Sequence, residues 1–177
     1  ETCQWLKEKE YPGEIRGDYN LYAYNRRSQS VLKDAGIARL TAPVELNYRE
    51  LSELGIRSGS LIVYGRQPVM ISAGCIKKST GACGRKDGET VLTDRKRNEF
   101  IVKNHCCYCY NVMYNCRPLL LHGRREEVKR LGPAEVRIDF LNETKEEAER
   151  ILGLCGSCFL GETAVEVPDI PYTNGHF

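Results

Sequence analysis

The stretch Ser60-Leu61-Ile62-Val63-Tyr64-Gly65-Arg66-Gln67-Pro68-Val69-Met70-Ile71-Ser72 decides the fold class. Its apolar run is too short for a helix of ordinary length and is rich in β-branched residues. It reads as a buried strand broken near Gly65. Just upstream, Asn47 with Glu50 three residues later fits a capping box, Leu51 and Leu54 share one helical face, and Gly55 stops the helix. Before that come a Tyr-rich, strand-like segment over 14–24, a helix capped by Asn25 and ended at Gly36, and a short strand over 38–42. Downstream, a strand near 111–121 leads to a helix over 124–131 that Gly132-Pro133 stops. A strand over 135–140 and a helix opened by Thr144 and Glu147 follow. Strand and helix alternate, which predicts an α/β fold with mainly parallel strands. With 177 residues, the chain is too short for a complete eight-fold barrel, which needs about 200 residues or more.

Between 73 and 111 the alternation fails. Gly, Lys, Ser and Cys dominate, with short strand candidates at 90–93 and 99–103. A long irregular stretch inside a compact domain is usually functional or held by something other than a core. The chain therefore divides into strand–helix units over 1–72, a cysteine-rich insertion over 73–111, and closing units over 112–177.

Charge is uneven. Residues 75–130 carry 13 Lys/Arg against 6 Asp/Glu, whereas the whole chain is only +2. A basic segment on a near-neutral chain suits an anionic partner. The 41% hydrophobic and 28% charged content excludes intrinsic disorder and collagen. No apolar run approaches the roughly 18 residues that cross a bilayer. No secretory pattern opens the chain. It starts at Glu1 rather than Met, so an upstream portion of the same polypeptide is expected.

The nine cysteines are an odd number and cannot all pair internally. Six of them fall between 75 and 116, which favours a metal or iron–sulfur site in a reducing, cytoplasmic setting over a disulfide scaffold. Cys106 and Cys109 have the C-x2-C spacing that brings two thiolates to one metal from a single turn. Two cysteines from elsewhere would complete a four-thiolate shell for zinc or an iron–sulfur cluster. Neighbouring Lys and Arg should lower the thiol pKa values. Cys107, one residue from Cys109, competes with Cys106 for the ligand position. Cys116 reads as packing. Cys155-Gly156-Ser157-Cys158 is a second C-x2-C, but it follows a helix rather than opening one, which argues against a thioredoxin-like role.

Several strings in order carry a resemblance. They are Glu45-Leu46-Asn47, Tyr64-Gly65-Arg66-Gln67-Pro68-Val69-Met70, Cys75, Leu92-Thr93-Asp94-Arg95-Lys96, Cys106-Cys107-Tyr108-Cys109-Tyr110-Asn111, Arg137-Ile138-Asp139-Phe140 and Tyr172-Thr173-Asn174-Gly175-His176-Phe177. Together they resemble the collagenase-like peptidases, family thirty-two of the peptidases of unknown catalytic type. The resemblance implies a partial TIM-type barrel: the C-terminal half of one, with a cysteine-rich insertion, completed by an N-terminal half. It implies a four-iron four-sulfur cluster on Cys75, Cys83, Cys106 and Cys109. Studied relatives include hydroxylases of transfer or ribosomal RNA and a ubiquinone hydroxylase pair.

A protease is the weaker expectation on chemical grounds. The sequence offers no Ser/His/Asp or Cys/His arrangement and no H-E-x-x-H. An RNA hydroxylase is favoured, since the basic insertion suits RNA. A true peptidase acting on protein or peptide, and a zinc-stabilised binding fragment without catalysis, are the alternatives. Substrate-binding candidates are Glu45, Asn47, Arg66, Arg137, Asp139 and His176. Glu45 and Asn47 would sit at the C-terminal end of a barrel strand, though Asn47 also reads as a helix cap. The planar fork of Arg66 suits a carboxylate or phosphate. Arg137 and Asp139 alternate about Ile138 and share one face.

Overall fold

The computed structural model describes residues 2–161 and 169–177. Its elements are α1 (Thr2–Glu8), β1 (Arg16–Gly17), α2 (Arg26–Asp34), β2 (Arg39–Leu40), α3 (Tyr48–Leu54), β3 (Ser60–Gly65), β4 (Pro68–Ser72), α4 (Ile76–Ser79), β5 (Gly88–Thr93), β6 (Glu99–His105), β7 (Tyr110–Tyr114), β8 (Leu119–Leu120), α5 (Arg125–Leu131), β9 (Glu135–Asp139) and α6 (Lys145–Cys155). The fold is mixed α/β. Its sheets are separate, and none closes into a barrel among the described residues. The chain forms two compact units. One comprises Glu1–Gly65, Leu120–Ile170 and Asn174–Phe177; the other comprises Arg66–Leu119 and Pro171–Thr173.

The first unit holds the parallel strands. β1 pairs with β2, and β3 pairs with β9 in the register Ser60↔Glu135 through Gly65↔Asp139. All six residues of β3 are buried. Val63 has no exposed surface and packs in a core with Leu51, Leu120, Leu121, Val128, Leu131 and Ile151, which are also buried. The capping signals hold. The Asn25 side chain accepts from the Ser28 amide, and Asn47–Glu50 and Thr144–Glu147 both form reciprocal capping boxes. Gly132 closes α5 in the left-handed conformation.

Gly65 explains the break in the opening stretch. Its φ is +151°, and a Cβ there would lie 2.9 Å from both the Cβ and the carbonyl oxygen of Asp139. Only glycine allows β9 to approach so closely.

The second unit is an antiparallel sheet in the order β4-β7-β6-β5. This corrects the expectation of mainly parallel strands, which holds only for the first unit. The insertion is not irregular throughout, because β5 and β6 form a regular hairpin from Gly88↔Asn104 to Thr93↔Glu99. The half of the opening stretch beyond Gly65 is not buried. It forms β4, an edge strand on which Val69, Met70 and Ile71 are exposed.

Other segments also depart from the sequence pattern. The expected strand over 14–24 shrinks to two residues, because the Asp18 side chain accepts from the Tyr19 amide and opens a 3-10 turn over Tyr19–Leu21. The expected strand over 111–121 is split. Arg66 Nη1 donates to the carbonyls of Asn115 (3.0 Å) and Cys116 (2.6 Å), and Pro118 has no amide to give to a ladder. Helix α1 was not anticipated. Among the described residues, no helix is long and apolar enough to cross a membrane.

Candidate metal centre

Strand register in the second unit brings the cysteines to one end of one sheet. β4 ends at Ser72, opposite Asn111. β6 ends at His105, opposite Tyr110 of β7. β5 begins at Gly88, opposite Asn104. The β4–β5 connection carries Cys75 and Cys83. The four-residue β6–β7 turn carries Cys106, Cys107 and Cys109. Both connections therefore leave the sheet at the same end.

Local bonds hold each connection. Cys75 precedes α4, and its carbonyl accepts from the Ser79 amide at 3.0 Å and the Ser79 hydroxyl at 3.2 Å. The Cys106 amide donates to Asp87 Oδ1 at 2.6 Å, and its thiol donates to the Lys86 carbonyl at 3.0 Å. Lys77 Nζ donates to the same carbonyl at 3.3 Å. Cys109 has φ +53°, a conformation in which glycine or asparagine is the ordinary choice. Its thiol donates to the Cys106 carbonyl at 3.7 Å. A thiol kept at a strained turn position is a feature of functional loops.

Beneath the turn lies a ladder that sequence reading missed. Asn104 and Asn111 are each only 2% exposed. Asn104 donates its amide to Asn111 Oδ1, and Thr90 donates its hydroxyl to Asn104 Oδ1 at 3.2 Å. Asn111 Nδ2 donates to the Gly74 carbonyl at 2.9 Å, next to Cys75. The ladder ties both cysteine-bearing connections to the sheet. Its one sequence signal is the placement of two asparagines symmetrically about the turn, directly before His105 and after Tyr110. Those two rings stack, with centroids 4.6 Å apart and planes 14° apart.

Partial burial raises the Cys106 thiol above its ordinary value. Lys77 opposes this, while Asp87 and the neighbouring Cys75 and Cys83 thiols reinforce it. Of the basic neighbours expected to stabilise the Cys106 thiolate, Lys77 does so, and burial outweighs it. The donor set suits a thiolate-bound metal in chemistry alone: soft sulfur ligands on two connections at one end of a sheet. The shell is not closed. Among the described residues, no group of three or more His, Cys, Asp or Glu side chains is gathered closely enough to hold a metal.

Most of the remaining candidates have local partners. Asn47 caps α3. Glu45 is exposed; burial, then the Glu45 carboxylate, raises the pKa of the Tyr24 phenol. Arg137 bridges Asp139 Oδ1 (2.6 Å) and Asp18 Oδ1 (2.7 Å), so its face is an ion-pair network. Arg66 Nη1 serves the backbone carbonyls described above. His176 is exposed.

Cys155 and Cys158 lie in the first unit and are buried. The Cys158 thiol donates to the His122 carbonyl at 3.5 Å. Burial, then Cys158, pushes Cys155 from 9.0 up to about 11. Cys155 and Cys158 should therefore resist iodoacetamide at pH 8 until the protein is unfolded, while in metal-free protein the exposed Cys83, Cys107 and Cys109 react at once. Peptide mass mapping reads this out. The raised folded pKa means that the unfolded thiol ionises first, so this contribution to stability is present below pH 9 and is lost as pH climbs toward 11.

No protein-family model, no curated protein and no solved structure matches the chain.

Proposed function

We propose that Cys75, Cys83, Cys106 and Cys109 hold a four-iron four-sulfur cluster. In this reading the chain is the C-terminal half of a TIM-type barrel enzyme of the collagenase-like family, and it acts in hydroxylation of RNA. The observation that carries the metal reading is the convergence of two cysteine-bearing connections on one end of the β4-β7-β6-β5 sheet. The thiols would act as ligands, and the Asn104–Asn111 ladder would orient the loops that bear them. When bound, a cluster of this kind supplies one-electron redox chemistry.

The parallel pairing of β3 with β9 and of β1 with β2 supports the barrel-half reading, because parallel strands joined through helices build such barrels. Zinc is the second reading, favoured by the tight C-x2-C hairpin turn, whose ligand spacing suits tetrahedral zinc. Anaerobic purification separates the two. A brown protein with visible charge-transfer absorption and matching iron and acid-labile sulfide supports the cluster. A colourless protein containing zinc overturns it.

Support for RNA comes from the cysteine-bearing connection itself, which carries Lys77, Lys78, Arg85 and Lys86. Each neutralised phosphate releases condensed counterions, so affinity for single-stranded RNA should fall steeply with salt. Replacing those four residues with Ala should weaken binding and flatten the salt slope by about 3 in log–log terms, roughly 0.7 per lost phosphate contact. An affinity indifferent to both salt and substitution removes RNA from the reading.

A further inference from the structure

Two exposed tyrosines follow the short parallel strand β1. Tyr22 is 59% and Tyr24 39% exposed, and their rings are 5.8 Å apart at a 43° tilt. Tyr22 has φ +53° and ψ +43°. A bulky residue in the left-handed region is an outlier, and such strain persists only where the surroundings enforce it. Here the surroundings are the 3-10 turn. The Tyr22 amide donates to the Tyr19 carbonyl at 3.0 Å, and the Tyr24 amide donates to the Tyr22 carbonyl at 2.9 Å. Glycine would meet the backbone requirement without cost, yet an exposed aromatic ring occupies the position.

Glu45, in the loop after β2, is the charged neighbour of the Tyr24 hydroxyl. Loops after the C-terminal ends of parallel strands are where α/β folds bind ligands. The charges nearby suit an anionic ligand. Asp18, at the head of the turn, is neutralised by Arg137. Arg26 and Arg27 are exposed at the amino end of α2, directly after the tyrosines.

We propose that Tyr22 and Tyr24 form a stacking platform for an unpaired nucleobase of single-stranded RNA, with the arginines at the start of α2 meeting the adjoining phosphate. This deepens the RNA reading above and rests on it. Stacking is tolerant of base identity, because every base has a π-face.

The experiment is fluorescence anisotropy with a fluorescein-labelled ten-nucleotide single-stranded RNA, paired with thermal melting of each variant. Tyr22→Gly removes the ring and relieves the backbone. It should weaken binding about fivefold or more while leaving the melting temperature unchanged or raised. Tyr22→Asn, which also tolerates the left-handed conformation, should repeat the loss. Tyr24→Phe, which keeps the ring but not the hydroxyl, should lose less affinity than Tyr24→Ala. Ultraviolet cross-linking should label the peptide containing Tyr22 and Tyr24. If Tyr22→Gly lowers the melting temperature and leaves affinity intact, the tyrosine is structural and the platform is overturned. If wild-type protein binds RNA with the expected salt slope while both Tyr22 variants bind equally well, the platform fails and the RNA reading stands. If wild-type protein binds no RNA, both fall.

Discussion

Cys106→Ser is expected to lose nearly all bound iron and the visible absorption that accompanies it. The same loss is expected for Cys75→Ser, Cys83→Ser and Cys109→Ser. Each substitution would remove one of the four proposed ligands, and a hydroxyl is a poor replacement for a thiolate at a soft-metal site. Cys155→Ser and Cys158→Ser should retain wild-type iron, because both thiols are buried in the other unit. Iron and sulfide analysis after anaerobic reconstitution makes the comparison. Equal iron across all six variants refutes the assignment. Cys107→Ser discriminates between neighbours. Cys107 is exposed, whereas Cys106 is partly buried and has Cys75 and Cys83 as electrostatic neighbours. Loss of iron from the Cys107 variant with retention by the Cys106 variant would move the ligand by one residue.

Asn111→Ala should produce the second large effect, on stability and metal affinity together. The substitution deletes the donor to the Gly74 carbonyl and leaves the buried Asn104 amide without its acceptor. An abandoned buried polar group costs about 1–3 kcal/mol. The loop bearing Cys75 would lose its tie to the sheet, and loss of such an orienting partner typically lowers metal affinity by about 10–100-fold. Chemical denaturation and competitive chelation measure the two effects. Wild-type values in both would remove the ladder from any supporting role. A stability loss with unchanged metal affinity would make it purely structural.

What could be read in advance follows from how local each signal is. The caps at Asn25, Asn47 and Thr144 are encoded within four residues, and all three form as expected. The break at Gly65 was visible, but its cause was not, because the approach of Asp139 comes from a residue 74 positions away. The grouping of the cysteines was visible as clustering along the chain. Their common end of one sheet depends on the pairings of β4 with β7 and of β5 with β6, which alternation of strand and helix does not encode. The buried asparagines escaped notice because polar residues flanking a turn ordinarily face solvent. Arg66, read as a carboxylate or phosphate contact, has a structural task as well: its Nη1 closes the carbonyls of a kinked segment. Nothing in its own sequence neighbourhood distinguishes these roles.

Strand β4 carries a practical consequence. Val69, Met70 and Ile71 are three successive uncharged, exposed apolar residues on a sheet edge, the composition of a segment that seeds intermolecular pairing. Its gatekeepers are unequal. Pro68 blocks one end, and the first cations beyond the other are Lys77 and Lys78, past the glycine and cysteine of the loop. Shelf life of the purified protein should therefore be limited by this window. A single Ile71→Lys substitution, set on an exposed position, is the economical route to concentrated samples.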